Sequence, residues 1–94
     1  MTLVNDIIAQ HVPARHKRSA KGWLQFDCPA CHHRGHSPDK RGRGNVLFTP
    51  DGQIAYRCFN CGIRARYTGN TISTTMENLM RWLGASNEEI RRAK

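Results

Sequence analysis

The chain has 94 residues, with 15 Lys and Arg against 7 Asp and Glu, a formal net charge of +8 and four cysteines. That length suits one domain, too small to bury a comfortable core without a staple, and no stretch approaches the ~20 apolar residues of a membrane span. The N-terminal Met1-Thr-Leu-Val-Asn-Asp-Ile-Ile lacks the uninterrupted apolar core of a secretory signal and is not basic, so neither export nor an interfacial anchor is expected.

In chain order, Thr2 is expected to cap a short helix in which Leu3, Val4, Ile7 and Ile8 recur at helical spacing, ending near Val12-Pro13. A basic linker, Arg15 to Gly22, leads into a strand at Trp23-Leu-Gln-Phe26. Residues 32–44 hold almost nothing that can be buried and predict an exposed, mobile basic loop. Asn45–Thr49 and Gln53–Arg57 flank Pro50-Asp51-Gly52, a hairpin signal. Gly62 to Thr71 is expected to be a polar, basic connection. Beyond it, Thr74 or Thr75 caps a helix with Met76, Leu79, Met80 and Leu83 on one face and Gly84 at its end. Ser86-Asn-Glu-Glu89 is a capping box for a second helix carrying Ile90 and Ala93, expected to run little more than one turn within this chain and to continue beyond it.

The strongest chemical signal is the pair of turns Cys28-Pro-Ala-Cys31 and Cys58-Phe-Asn-Cys61, which use every cysteine and are separated by 26 residues. Each Cys-x-x-Cys can hold two thiolates on one turn, and two such turns supply the four sulfurs of one structural Zn2+. Two disulfides would need an oxidising compartment, and a thioredoxin-like redox site would need a single pair in a βαβ setting. His32, His33 and His36 follow the first pair closely and are alternative imidazole ligands; with four cysteines completing the tetrahedron, they are expected to be solvated or to face nucleic acid. The fold class expected is therefore a small zinc-stabilised β domain, a zinc ribbon of antiparallel hairpins with short flanking helices. Its segments are a helix over 1–14, the ribbon over 15–70 and a helical segment over 71–94.

The charge is concentrated on the ribbon. Residues 15–66 hold eleven Lys and Arg against three Asp, a net of +8, and the remainder of the chain cancels. Four thiolates and Zn2+ would lower that by two, leaving a strongly basic ribbon. Clustered cations gain free energy by releasing counterions from phosphates, so a polyanion is the leading partner.

The run Lys21-Gly-Trp-Leu-Gln-Phe-Asp-Cys-Pro-Ala-Cys31 and the run Gly44-Asn-Val-Leu-Phe-Thr-Pro-Asp-Gly-Gln-Ile-Ala-Tyr-Arg-Cys-Phe-Asn-Cys-Gly62 resemble the N-terminal zinc-binding domain of bacterial and bacteriophage DNA primases. The phage form is the nearer, because Cys31 stands where bacterial enzymes commonly have histidine. The resemblance covers roughly residues 15–84, and its more specific parts are the Gly-Asn-x-Leu-Phe strand, the Asp-Gly hairpin and the Cys-Phe-x-Cys-Gly turn. It implies a module that reads a short sequence on single-stranded DNA template and helps hold initiating nucleotides for a separate catalytic domain. A replicative helicase as further partner and the cytoplasm of a bacterium or phage-infected cell are implied in the same way. No catalytic residue is expected in these 94 residues: the aspartates are scattered through turns, and a metal held by four sulfurs has no open position for water.

Single strands are bound by basic side chains along the backbone and by aromatics on which bases stack. Arg34, Lys40, Arg41, Arg43, Arg64 and Arg66 are the expected phosphate contacts, Tyr56 and Arg57 the expected base-facing pair, and Phe48, Trp23 and Leu47 packing. Phe59 is a further aromatic beside the second pair. Asp51 and Gln53, at the hairpin tip, can hydrogen-bond base edges, although turn chemistry alone would also explain Asp51. A stand-alone nucleic-acid-binding accessory of transcription or recombination, and a protein-interaction ribbon, are the competing functions.

Overall fold

The computed structural model describes residues 3–94, so the expected Thr2 cap lies outside the described residues. Five strands form one antiparallel sheet in sequential order: β1 (Lys17–Arg18), β2 (Leu24–Phe26), β3 (Gly44–Phe48), β4 (Ile54–Cys58) and β5 (Arg64–Tyr67). Three helices accompany it, α1 (Leu3–His11), α2 (Thr74–Leu83) and α3 (Asn87–Ala93), with a 3-10 turn at His32–Arg34. Among the described residues no helix is long and apolar enough to cross a membrane.

The β3–β4 hairpin forms where Asp-Gly places it, with Phe48 opposite Ile54 and Gly44 opposite Cys58. The regular strands stop one residue early on each side, but the Thr49 N–H donates to the Gln53 carbonyl (3.0 Å), so the hairpin still closes on Pro50-Asp51-Gly52 as expected. Gly52, at φ 84, supplies the left-handed turn residue that a β-carbon would strain.

Two expected connections are instead strands. Arg64–Tyr67 pairs with β4, its Ala65 and Tyr67 buried and its Arg64 and Arg66 exposed. This is an alternating half-buried strand whose charged outer positions made it look like a linker. Lys17–Arg18, within the basic linker, pairs with β2 at the sheet edge.

Alternation divides the sheet into two faces. Phe26, Val46, Ile54, Tyr56, Ala65 and Tyr67 point inward and join one core with Val4, Ile7 and Ile8 of α1, Met76, Leu79 and Met80 of α2, and Ile90 of α3. α1 packs against both α2 and α3, and α2 against β5, so the helices form the second layer over the sheet's inner face. Ser73, rather than Thr74 or Thr75, caps α2 and accepts from the Met76 N–H (3.1 Å); Gly84 ends it at φ 119. The Ser86–Glu89 capping box forms in full, and α3 runs seven residues, about two turns against the little more than one expected.

Candidate metal centre and nucleic-acid interface

All four cysteines are buried and free, and their Sγ atoms lie within 4.8 Å of one another. Cys31 and Cys58, one from each turn, approach to 3.6 Å. A tetrahedron with metal–sulfur bonds of about 2.3 Å has edges of about 3.8 Å, so the cluster is already near the size that one ion requires. No histidine belongs to it. The two turns are built alike: the Ala30 N–H donates to Cys28 Sγ (3.4 Å) and the Asn60 N–H to Cys58 Sγ (3.3 Å).

The metal-free thiols illustrate why a cation belongs here. Burial raises the Cys28 thiol well above its ordinary value and pushes Cys31 up to about 11. At Cys58 burial works in the same direction, but the backbone N–H groups of Cys61 and Asn60 outweigh it and favour the thiolate. Tyr56 adds an independent sign. Its hydroxyl is buried without a well-formed hydrogen bond, beside Cys28, where it could donate a hydrogen bond to a metal-bound thiolate. The donor set and this orphaned hydroxyl fit a metal–tetrathiolate centre, compatible with structural zinc.

The loop between the two turns is largely exposed, as expected, and is tied to its surroundings by hydrogen bonds. Asp39 is buried at 8 % exposure. Its carboxylate accepts from the backbone N–H groups of Cys28 (2.9 Å), Arg41 (2.9 Å) and Arg43 (2.7 Å). Burial alone would raise its carboxyl, yet these three donors hold it below its ordinary range. Asp27 likewise accepts from Gly42 N–H (2.8 Å). At the loop's start the His33 ring stacks on Trp82 of α2, 5.1 Å between centroids and 6° from parallel, with His32 tilted against it. These histidines therefore include a docking contact.

The exposed sheet face is basic and aromatic. Its central row runs across all five strands through Lys17, Gln25, Asn45, Arg57 and Arg64, each directly opposite the next. A second outward row carries Leu47, Ala55 and Arg66, with Trp23 flanking it just before β2. The Arg57 guanidinium lies over the Trp23 ring (4.5 Å) and the Phe59 ring (5.1 Å). Arg57 and Arg64 face each other as like charges, which costs stability in an isolated sheet. No carboxylate relieves them: every ion pair among the described residues involves the helices, namely His11–Glu89, Arg81–Glu77, Arg92–Glu88 and Lys94–Glu77.

Several expected contacts are redistributed. Tyr56, expected to face bases, is buried at 2 % exposure with its ring 6.1 Å from Phe26. Strand parity is the reason: it shares a face with Cys58, two residues on, whose sulfur must point inward. Trp23, expected as packing, lies on the outer face, and Phe59 is 67 % exposed. Arg34, Lys40, Arg41, Arg57, Arg64 and Arg66 are exposed, whereas Arg43 is half-buried with its guanidinium donating to Asn60 Oδ1 (2.9 Å). At the tip, Asp51 accepts from the Thr49 hydroxyl, so its carboxylate serves the turn; Gln53 is half-buried, its N–H donating to Thr49 Oγ1 (2.9 Å).

Parity counted back from the cysteines would have found Arg57 outward and Tyr56 inward. The signal for Phe59 is its place inside the second cysteine turn, equivalent to Pro29 in the first, where a side chain points away from the metal. Comparison with family models, curated proteins and solved structures finds no match for this chain.

Proposed function

We propose that this domain is a zinc ribbon that binds single-stranded DNA template as the recognition module of a phage-type DNA primase, working with a separate catalytic domain. The observation that carries the single-strand reading is the outer sheet face, where Lys17, Arg57, Arg64 and Arg66 have no carboxylate partner and Trp23 and Phe59 are available for stacking. Such a surface suits unpaired nucleotides, whose bases stack on aromatics while phosphates meet cations. The primase assignment is supported by the resemblance of the two cysteine turns and the intervening hairpin, and by the gathering of those turns into one cluster.

In this proposal zinc is the metal and only holds the two turns together, since four sulfurs leave no site for an activated water. The catalytic domain makes the phosphodiester bonds, and this domain holds the template, with initiating nucleotides and a replicative helicase as further partners. Two measurements test it. If about four phosphate contacts form, log K for a short single strand falls against log salt with a slope near −3, and a duplex of equal length binds more weakly. Added to its catalytic partner, the domain makes primer synthesis depend on template sequence. Salt-independent affinity overturns the single-strand reading. Single-strand binding with no effect on priming favours the stand-alone accessory protein instead.

A further inference from the structure

Arg57 is held by its faces and left open along its edges. Its side chain starts on β4, reaches across β3 and brings the guanidinium over Trp23, just before β2 (4.5 Å), and over Phe59, just after β4 (5.1 Å). Both rings stand on pinned backbone. The Trp23 N–H donates to Ser19 Oγ (3.1 Å) and its carbonyl accepts from the Ser19 N–H (2.8 Å) in the β1–β2 turn, while the Phe59 N–H donates to the Arg43 carbonyl (3.1 Å) within the second cysteine turn. Other arginines spend their N–H groups on the protein: Arg43 donates to Asn60, Arg81 to Asn78 and Asn87, and Arg92 to Glu88. The Arg57 guanidinium donates to no acceptor among the described residues. A planar cation oriented by ring packing, with its fork of donors unspent, is preorganised for a phosphate, because little side-chain freedom remains to be lost on binding. The groove beside it is lined by Ser19, Lys21, Trp23 and Phe59, and no carboxylate lines it among the described residues.

We propose that Trp23, Arg57 and Phe59 form a phosphate clamp, in which the Arg57 fork grips one internal phosphodiester of the bound strand and the two rings are positioning residues that aim it. Lys21, exposed in the same groove, is the second cation on that phosphate. The guanidinium takes one face of each ring, so the rings act on the strand through Arg57. Such a clamp sets where the strand lies on the sheet and is indifferent to base identity. The proposal rests on the single-strand reading above and narrows it.

The test follows the affinity of the metal-loaded protein for oligo-dT without a terminal phosphate, so that only internal phosphodiesters are present, across a range of salt. Arg57→Ala should make the slope of log K against log salt shallower by about 0.7, the share of one single-strand phosphate. Replacing both rings, Trp23→Leu with Phe59→Leu, should do the same although it removes no charge. Phe59→Leu alone, at a position 67 % exposed, carries the test should the double variant not fold: it should lower affinity in the unmodified background and have no further effect once Arg57 is alanine. Ring replacement that weakens binding at an unchanged slope, by the same factor with or without Arg57, overturns the clamp; the rings then stack on bases and the single-strand reading stands. An Arg57→Ala protein with the affinity and slope of the unmodified one overturns it as well. If the unmodified protein does not bind the oligomer, the single-strand reading fails and takes the clamp with it.

Discussion

Tyr56 joins the sheet to the metal centre. A β-carbon on Gly44 would come within 2.7 Å of its hydroxyl and 3.0 Å of the Phe26 carbonyl, so only glycine lets the phenol lie across β3 toward Cys28. Tyr56→Phe keeps the ring in the core and removes only the group beside Cys28. The expected outcome is a folded protein whose metal affinity falls about tenfold, the lower end of what outer-shell partners contribute, measured by competition with a chromogenic chelator. An unchanged affinity would make the hydroxyl a bystander. Gly44→Ala, in contrast, should destabilise the metal-loaded fold by about 1–3 kcal/mol, because the clash involves backbone atoms as well as the phenol. At this scale the ligands were legible in the sequence, since Cys-x-x-Cys spacing is local chemistry. The exposed aromatics were not, because whether Trp23, Tyr56 or Phe59 faces solvent depends on strand parity and pairing that only the sheet sets.

Among the elements, β3 and β4 could be read from Asp51-Gly52 and their flanking apolar runs, and α3 from its capping box. β5 carried a period of two in Arg64-Ala-Arg-Tyr67, but a strand whose outer side chains are both arginine resembles a solvated connection until β4 is there to pair with it. The 32–44 loop hid its order for a different reason: Asp39 joins the local N–H groups of Arg41 and Arg43 to that of Cys28, which lies outside the loop and becomes a neighbour only once the chain folds back on it. Asp39→Asn keeps the size but replaces a two-oxygen acceptor of three N–H groups by one oxygen and an amine. A loss of about 1–3 kcal/mol in denaturant unfolding is expected, and none would mean that the loop is held elsewhere. The α1–α3 contact should respond to acid. The Ser86 N–H and the His11 side chain hold the Glu89 carboxyl below its ordinary value, and a lowered folded value means that the stabilisation is complete above the ordinary carboxylate range and lost as pH falls through the folded one. A titration followed by NMR should find Glu89 protonating below the ordinary carboxylate range.

For the whole molecule, the cysteines belong to the same core as the helices, so an ion held by them would couple its binding to folding. Structural zinc contributes about 10–16 kcal/mol in finger peptides, comparable with the roughly 5–15 kcal/mol stability of a whole domain. Removing the metal should therefore abolish the circular-dichroism melting transition. It should also change Trp82 emission, because the His33 ring stacked on it lies only two residues after Cys31. A melting profile untouched by verified metal removal would refute this coupling.

The aspartates of the basic segment carry a consequence for how the molecule meets its partner. Asp27, Asp39 and Asp51 are all engaged by turns and loops, while Glu77 and Glu88 of the helices sit beside cations of their own. The domain is thus electrically lopsided, and in the proposed function an approaching single strand would exert a torque that turns the open β surface toward it before any contact is made. Its helical side is left pointing away, free to touch a second protein during the same encounter.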